Sequence, residues 1–308
     1  AICVSMSSVR RVRQRNRGFW LFGDGHEACR QEETMEVPRT SVQGDPGRQS
    51  MFGSTLEPTE SDMHGVTFLG LLLFASGFLY LGVPYVYIKW LRYRQDRRMK
   101  TQSYIALTFD DGPGFRLTPA ILDLLSEHGV RATFFVLGRN VQGRENLVRA
   151  AADRGHEIGT HSYDHLHSWK VWPTRAIADI RRGQDVLRRL LKTEDVFPFR
   201  PPCGKVNLFT LLFLLCKRIP ICMWTLDTRD TWPAESRDGE AIAEALRRSG
   251  GAISLAHDFD RTGTSVDDYV LTTLRTTLKV AKEAGIRFVT VTELLDEHAR
   301  VSGVPVRA

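Results

Sequence analysis

The sequence predicts an α/β protein built on a parallel sheet and preceded by one membrane-spanning helix. From Tyr104 onward, strand-like runs alternate with amphipathic helical stretches, the order that yields parallel strands joined by crossover helices. Between Val66 and Ile88 there is no Asp, Glu, Lys or Arg, and roughly 20 apolar residues suffice to cross a bilayer. Periodicity alone does not choose between a doubly wound sheet and a closed barrel.

Residues 1–62 combine Arg10, Arg11, Arg13, Arg15 and Arg17 with Gly, Ser, Pro and Glu and show no sustained apolar period. The expectation is a disordered, solvated basic segment. Met63 stands just before the apolar run and the chain opens on Ala1, so a native start at Met63 is an alternative.

Residues 63–100 read as the transmembrane helix and its basic flank. A buried soluble helix would need only about 10 to 14 apolar residues, and Pro84 is tolerated within a span. A cleaved signal is the other reading, with Ala75-Ser76-Gly77 as its small-residue cluster, but no basic region lies immediately upstream. Lys89, Arg92, Arg94, Arg97, Arg98 and Lys100 follow the span. By the positive-inside rule they place the following domain on the cytoplasmic side.

Residues 101–300 form the predicted globular body, with a short tail at 301–308. Strands are expected at Tyr104–Phe109, Ala132–Val136, Glu157–Gly159, Ile221–Leu226, Ala252–Ala256 and Phe288–Val291. Helices are expected at Thr118–Glu127, Glu145–Asp153, Thr174–Leu191, Gly239–Arg248 and Asp267–Ala284. The apolar run Leu208–Cys216 is too short to span a membrane and reads as a buried helix. No fixed-period repeat is present.

The formal charge is +6, but residues 1–100 hold 14 basic and 10 acidic side chains against 28 and 26 in the rest. A nearly neutral body argues against nucleic acid as its main partner. Cys3, Cys29, Cys203, Cys216 and Cys222 make no CxxC pair, so neither a zinc ribbon nor a disulfide scaffold is suggested, and Cys203 reads as a thiol.

Chemistry concentrates after the first strand, in Thr108-Phe109-Asp110-Asp111-Gly112-Pro113. The strand should deliver Asp110 and Asp111 to its end, where Gly112-Pro113 forces a turn. Adjacent carboxylates repel unless a cation is shared or one acid is protonated. His161 and His165, four apart, can grip one ion. With one carboxylate they make the two-imidazole, one-acid set of open catalytic zinc sites and of non-haem iron oxygenases. Either aspartate could be that ligand on physical grounds.

Taken in order, TFDDGP, His161-Ser162-Tyr163-Asp164-His165, Arg200-Pro201-Pro202-Cys203-Gly204 and Leu255-Ala256-His257 resemble the first, second, third and fifth motifs of the polysaccharide deacetylases. These are the NodB-like enzymes of carbohydrate esterase family 4, and the resemblance runs over roughly Tyr104 to Leu295. It implies a distorted (β/α) barrel with its site at the C-terminal strand ends. It further implies hydrolysis of N-acetyl groups on an amino-sugar polymer or oligosaccharide of chitin, chitooligosaccharide or peptidoglycan type.

On that resemblance, Asp111, His161 and His165 would hold a divalent metal, usually zinc, with cobalt or another divalent ion as alternatives. Asp110 would be the base toward water, and Arg200 the guanidinium that keeps it ionised. His257 would be the acid, supported by Asp230. The Cys203 backbone N–H would stabilise the oxyanion, with Leu255 and Trp232 lining the acetyl pocket. The fourth motif departs from the family pattern: Asp227-Thr228-Arg229-Asp230-Thr231-Trp232 carries its tryptophan one place late.

Other residues read as structure. Trp224 is expected in the core, while His128, His156 and His167 are ordinary polar residues. Asp258 would orient a loop, and Asp227 would support the site from behind. Trp169 and Trp172 fall on a loop where they could stack on sugar rings. Two other functions fit the residues: deacylation of a lipid-linked sugar at the membrane, and glycan binding with little turnover. Family resemblance expects the catalytic domain outside the cytoplasm, against the flanking charges.

Overall fold

The computed structural model describes residues 60–261 and 264–294. The N-terminal segment apart from its last three residues, and the predicted tail, lie outside the described residues. A long helix comes first, as α1 (Glu60–Gly77), a π-helical turn at Phe78–Gly82, and α2 (Val83–Gln102). Pro84 explains the interruption. It has no N–H to give and its ring crowds the preceding turn. The chain responds by widening that turn, with the Val83 N–H bonding Phe78 O.

The expected alternation then follows: β1 (Tyr104–Ala106), β2 (Thr108–Asp110), α3 (Leu117–His128), β3 (Thr133–Val136), α4 (Glu145–Asp153), β4 (Glu157–Thr160), α5 (Pro173–Leu191), α6 (Leu208–Cys216), β5 (Leu226–Asp227), α7 (Gly239–Ser249), β6 (Ala252–His257), α8 (Ser265–Glu283) and β7 (Arg287–Phe288). All strand pairs are parallel, in the order β4-β3-β2-β6-β1-β7, with β5 also on β6. Parallel bridges Thr160–Phe199 and Phe199–Ile221 carry the sheet from β4 to the stretch that becomes β5. Since β5 pairs with β6, the sheet closes into an irregular barrel.

Alternation along the strands separates two cores. Ile105, Leu107, Phe109, Phe134, Val136, Ala252 and Ala256 point outward and pack under α3, α4 and α8. Tyr104, Ala106, Phe135, Ile253 and Cys222 point inward. Gly159 is the inward position of β4, and a Cβ there would meet the Phe135 ring at 2.6 Å. Gly159→Ala should therefore destabilise the protein by about 1–3 kcal/mol through overpacking, measurable as a lower denaturant midpoint.

Three local readings need correction. The segment expected as a strand from Ile221 is regular only at Leu226–Asp227, because its neighbour there is a side chain. Gln95 of α2 donates to Ile221 O at 2.9 Å and accepts from Met223 N at 2.9 Å, taking the place of an adjacent strand. The strand expected through Val291 stops at Phe288. Thr290 and Glu293 form a reciprocal cap, with Thr290 N on Glu293 Oε2 and Glu293 N on Thr290 Oγ1, which starts a helical turn. Helix α6 is buried on one face only: Thr210, Leu211 and Leu214 are covered, while Phe209, Leu212 and Leu215 are exposed. Nine residues pack one stripe against α5 and α2, so an all-apolar sequence leaves the other stripe bare.

Candidate active site

The site lies at the C-terminal ends of β2, β4 and β6, closed by the loops after β4, Phe199 and β5. Asp110 is the last inward residue of β2, and the register sets it beside His257 on β6. The next residue, Asp111, leaves the strand with φ of 68°. That left-handed conformation turns its carboxylate toward the loop after β4. Ser162 (71°), His165 (60°), Cys203 (52°) and Arg229 (58°) share it. Five strained non-glycine residues around one pocket are the pattern of a backbone held for chemistry.

Asp111, His161 and His165 bring one ligand atom each to within 4.8 Å of one another. Both histidine Nε2 atoms lie 3.7 Å from Asp111 Oδ1. That oxygen is buried without a hydrogen-bond partner, which a cation would remedy. His161 Nδ1 lies 2.8 Å from Arg200 O; with the proton on Nδ1 as donor, the Nε2 lone pair faces Asp111. Burial pushes the His161 imidazole down to about 3, so it is neutral as a metal ligand must be. The group fits a divalent cation.

Asp110 stands beside this group rather than in it, its Oδ2 3.9 Å from His161 Nε2. Its Oδ1 accepts from Arg200 Nη1 at 2.8 Å. Arg200 is wholly buried, also donates to Thr108 Oγ1 at 2.7 Å, and lies 4.2 Å over the Phe135 ring. Burial raises the Asp110 carboxyl above its ordinary range, while Arg200 and then His257 pull it back. An arginine in this position keeps a buried carboxylate both charged and aimed.

Opposite, His257 Nδ1 pairs with Asp230 Oδ1 at 3.0 Å, and the His257 N–H donates to Asp230 Oδ2 at 2.9 Å. Its Nε2 faces Asp111 Oδ2 at 3.9 Å. Burial opposes a charge on His257, but Asp230 and the two metal-side aspartates outweigh it and lift the imidazole to about 9. Asp230 itself is lowered: burial pushes up, and His257 and Arg261 more than compensate.

The raised His257 stabilises the metal-free fold fully below about 6.5 and loses that contribution as pH climbs through about 9. Asp230→Asn should flatten this decline. Denaturant midpoints at about pH 6 and about pH 9.5 check it, and an unchanged slope would remove His257–Asp230 as its source.

Cys203 sits in a turn at Pro202–Gly204. It is disulfide-bonded, which corrects its reading as a thiol. Leu255 is buried on β6, on the same strand face as His257. Trp232 is half-buried beyond Asp230, under the Arg229 guanidinium at 5.4 Å. Trp172 is exposed, whereas Trp169 is tied by its Nε1–H to Val206 O at 2.9 Å. Trp224, expected in the core, is only partly buried, packed on Gly204.

Several supporting residues escaped the motifs. Asn140 Nδ2 donates to Asp111 O at 2.7 Å. Asp179 of α5 accepts from the backbone N–H of Asp164 at 2.8 Å and Leu166 at 3.4 Å, pinning the histidine loop. An acid inside the apolar stripe Ala176-Ile180-Gly183-Leu187 was its visible signal. Asp258, expected from the sequence to orient a loop, is pushed by burial up to about 7, takes the Thr118 hydroxyl at 2.6 Å and lies where a Cβ on Gly112 would fall.

With this geometry in hand, comparison places the chain among known proteins. The family model for polysaccharide deacetylase matches residues 97–213. A peptidoglycan-N-acetylglucosamine deacetylase of Listeria monocytogenes serotype 1/2a is 35% identical over 66% of this chain, which spans only 41% of that relative's length. A peptidoglycan-N-acetylglucosamine deacetylase of Bacillus cereus is 33% identical over 63% of this chain and 89% of the relative. The crystal structure of a peptidoglycan N-acetylglucosamine deacetylase superposes with a TM-score of 0.56 at 31% identity, covering 63% of this chain and 88% of that one. The barrel, its motif order and relatives matched over most of their own length lead to one assignment: this chain belongs to the polysaccharide deacetylase family.

Proposed function

We propose that this protein is a membrane-anchored, metal-dependent hydrolase that removes N-acetyl groups from the amino sugars of a glycan, of peptidoglycan or chitin type, and releases acetate. One observation carries the proposal: the Asp111, His161 and His165 group is flanked by a carboxylate–guanidinium pair on one side and an imidazole–carboxylate pair on the other. Glycan binding alone has no use for such a paired base and acid.

Asp111, His161 and His165 would hold the ion, zinc being the first expectation. Such an ion makes a nearby water more acidic and polarises an amide carbonyl. Asp110, kept ionised by Arg200, takes the proton of the attacking water. His257, its imidazolium stabilised by Asp230 at 3.0 Å, would deliver a proton to the departing sugar amine. The Cys203 N–H would donate to the developing oxyanion, an interaction typically worth about 3 kcal/mol of barrier. Leu255 and Trp232 would bound the acetyl methyl.

Acetate release from N-acetylglucosamine oligomers and from peptidoglycan should be abolished by a chelator and restored by zinc or cobalt. Glycan binding without acetate release in the metal-restored protein would reject the hydrolase reading in favour of a binding protein. A second reading, action on a lipid-linked amino sugar, is supported by the contact between Tyr85 near the span's end and Trp169 beside the site, ring centroids 6.4 Å apart. The basic run Lys89–Lys100 supports a cytoplasmic site, and protease accessibility in intact cells decides the side.

A further inference from the structure

We propose that the catalytic domain does not hang free below its anchor but sinks α6 into the same bilayer face, with Phe209, Leu212 and Leu215 in the hydrocarbon edge. This goes beyond the proposed activity, and it depends on Met63–Gln102 being a membrane span. Among the described residues, that segment is the one helix long and apolar enough to cross a membrane.

The first argument is length. Contact with the domain begins at Tyr80, which meets Phe209, whereas Met63, Val66, Phe68, Leu69, Leu71 to Phe74, Phe78 and Leu79 are bare. At ~1.5 Å per residue the uncharged stretch Met63–Leu79 ahead of that contact covers roughly 25 Å, short of the ~30 Å hydrocarbon core. The bilayer edge therefore reaches about one further turn, past Tyr80, where Val83 and Val86 remain exposed at the start of α2. Trp90 and Tyr93, also exposed, follow at the level expected for an interfacial aromatic belt.

The second argument is what lies beside that turn. The Tyr80 ring is 6.2 Å from the Phe209 ring, and Ile88 shares a buried cluster with Leu211 and Leu214. Whatever depth accommodates Tyr80 accommodates the adjoining face of α6. That face is 53% exposed at Phe209, 46% at Leu212 and 45% at Leu215, an apolar stripe continuous with the span. Water disfavours such a patch, whereas acyl chains cover it without any further partner. Lys217 and Arg218, exposed at the C-terminal end of α6, and Arg181, stacked 4.9 Å over Phe213, give it a basic margin suited to anionic headgroups.

The test uses the full chain in phosphatidylcholine–phosphatidylglycerol vesicles whose acyl chains carry a diazirine. After irradiation and trypsin, the peptide Val206–Lys217 should carry lipid adducts on Phe209, Leu212 or Leu215, as should the peptides of the span, and several-fold more than peptides of α8. Adducts on the span with none on Val206–Lys217 would overturn the embedding of α6 and leave the anchor standing. Adducts on neither would reject the span and this inference together. Leu212→Glu with Leu215→Glu should reduce labelling of this peptide alone, without changing acetate release from soluble oligomers.

Discussion

Asp110→Asn should lower kcat for acetate release by about 100-fold to 10,000-fold, the range assigned to loss of a positioned general base. The amide keeps the shape and can still meet Arg200, but it cannot take a proton. Because Asp110 stands outside the Asp111, His161 and His165 group, metal content per chain should not change. Elemental analysis beside the kinetics separates the two aspartates: if Asp110→Asn loses metal, their roles are exchanged. Activity that survives the substitution would sink the assigned mechanism altogether.

Arg200→Met should cost about 3–5 kcal/mol of stability, the usual penalty for leaving half of a buried ion pair unpartnered. The guanidinium is wholly enclosed, holding Asp110 at 2.8 Å and Thr108 at 2.7 Å over the Phe135 ring. Without it, burial is opposed only by the more weakly acting His257 and His165, and the Asp110 carboxyl rises further. The variant should thus also move the acid limb of the pH–rate profile toward higher pH. Adding Asp110→Asn to Arg200→Met should recover part of the stability, since the stranded charge is gone. A double-mutant cycle in denaturant checks this, and strictly additive losses would show that the pair is not coupled.

The parts of this protein that follow from local chemistry were legible without coordinates. Short apolar runs identify β3, β4 and β6 and the region Tyr104–Phe109, expected as one strand and found as β1 and β2, while amphipathic periodicity identifies the helices between them. The placement of Asp110-Asp111 at a strand end follows from the turn residues behind them. Where periodicity was weak, local reading overran. The stretch around Ile221 has the composition of a strand, yet its neighbour is the Gln95 side chain. The strand expected through Val291 yields to a cap that needs only Thr290 and Glu293 in reach of each other.

Residue types and spacing determined, by themselves, the α/β class and a two-histidine, one-aspartate candidate metal group; which aspartate is ligand and which residues are base and acid rested on the resemblance in motif order. Tertiary structure decided who meets whom. Asp110 and Arg200 are ninety positions apart in sequence, and no local rule specifies which acid Arg200 faces, that Asp179 pins the histidine loop, or which stripe of α6 stays bare. Hydrogen bonds and ion pairs act over a few ångströms, and sequence separation does not encode such distances. Only closure of the barrel brings the ends of β2, β4 and β6 around one pocket, where burial makes each partner's identity matter.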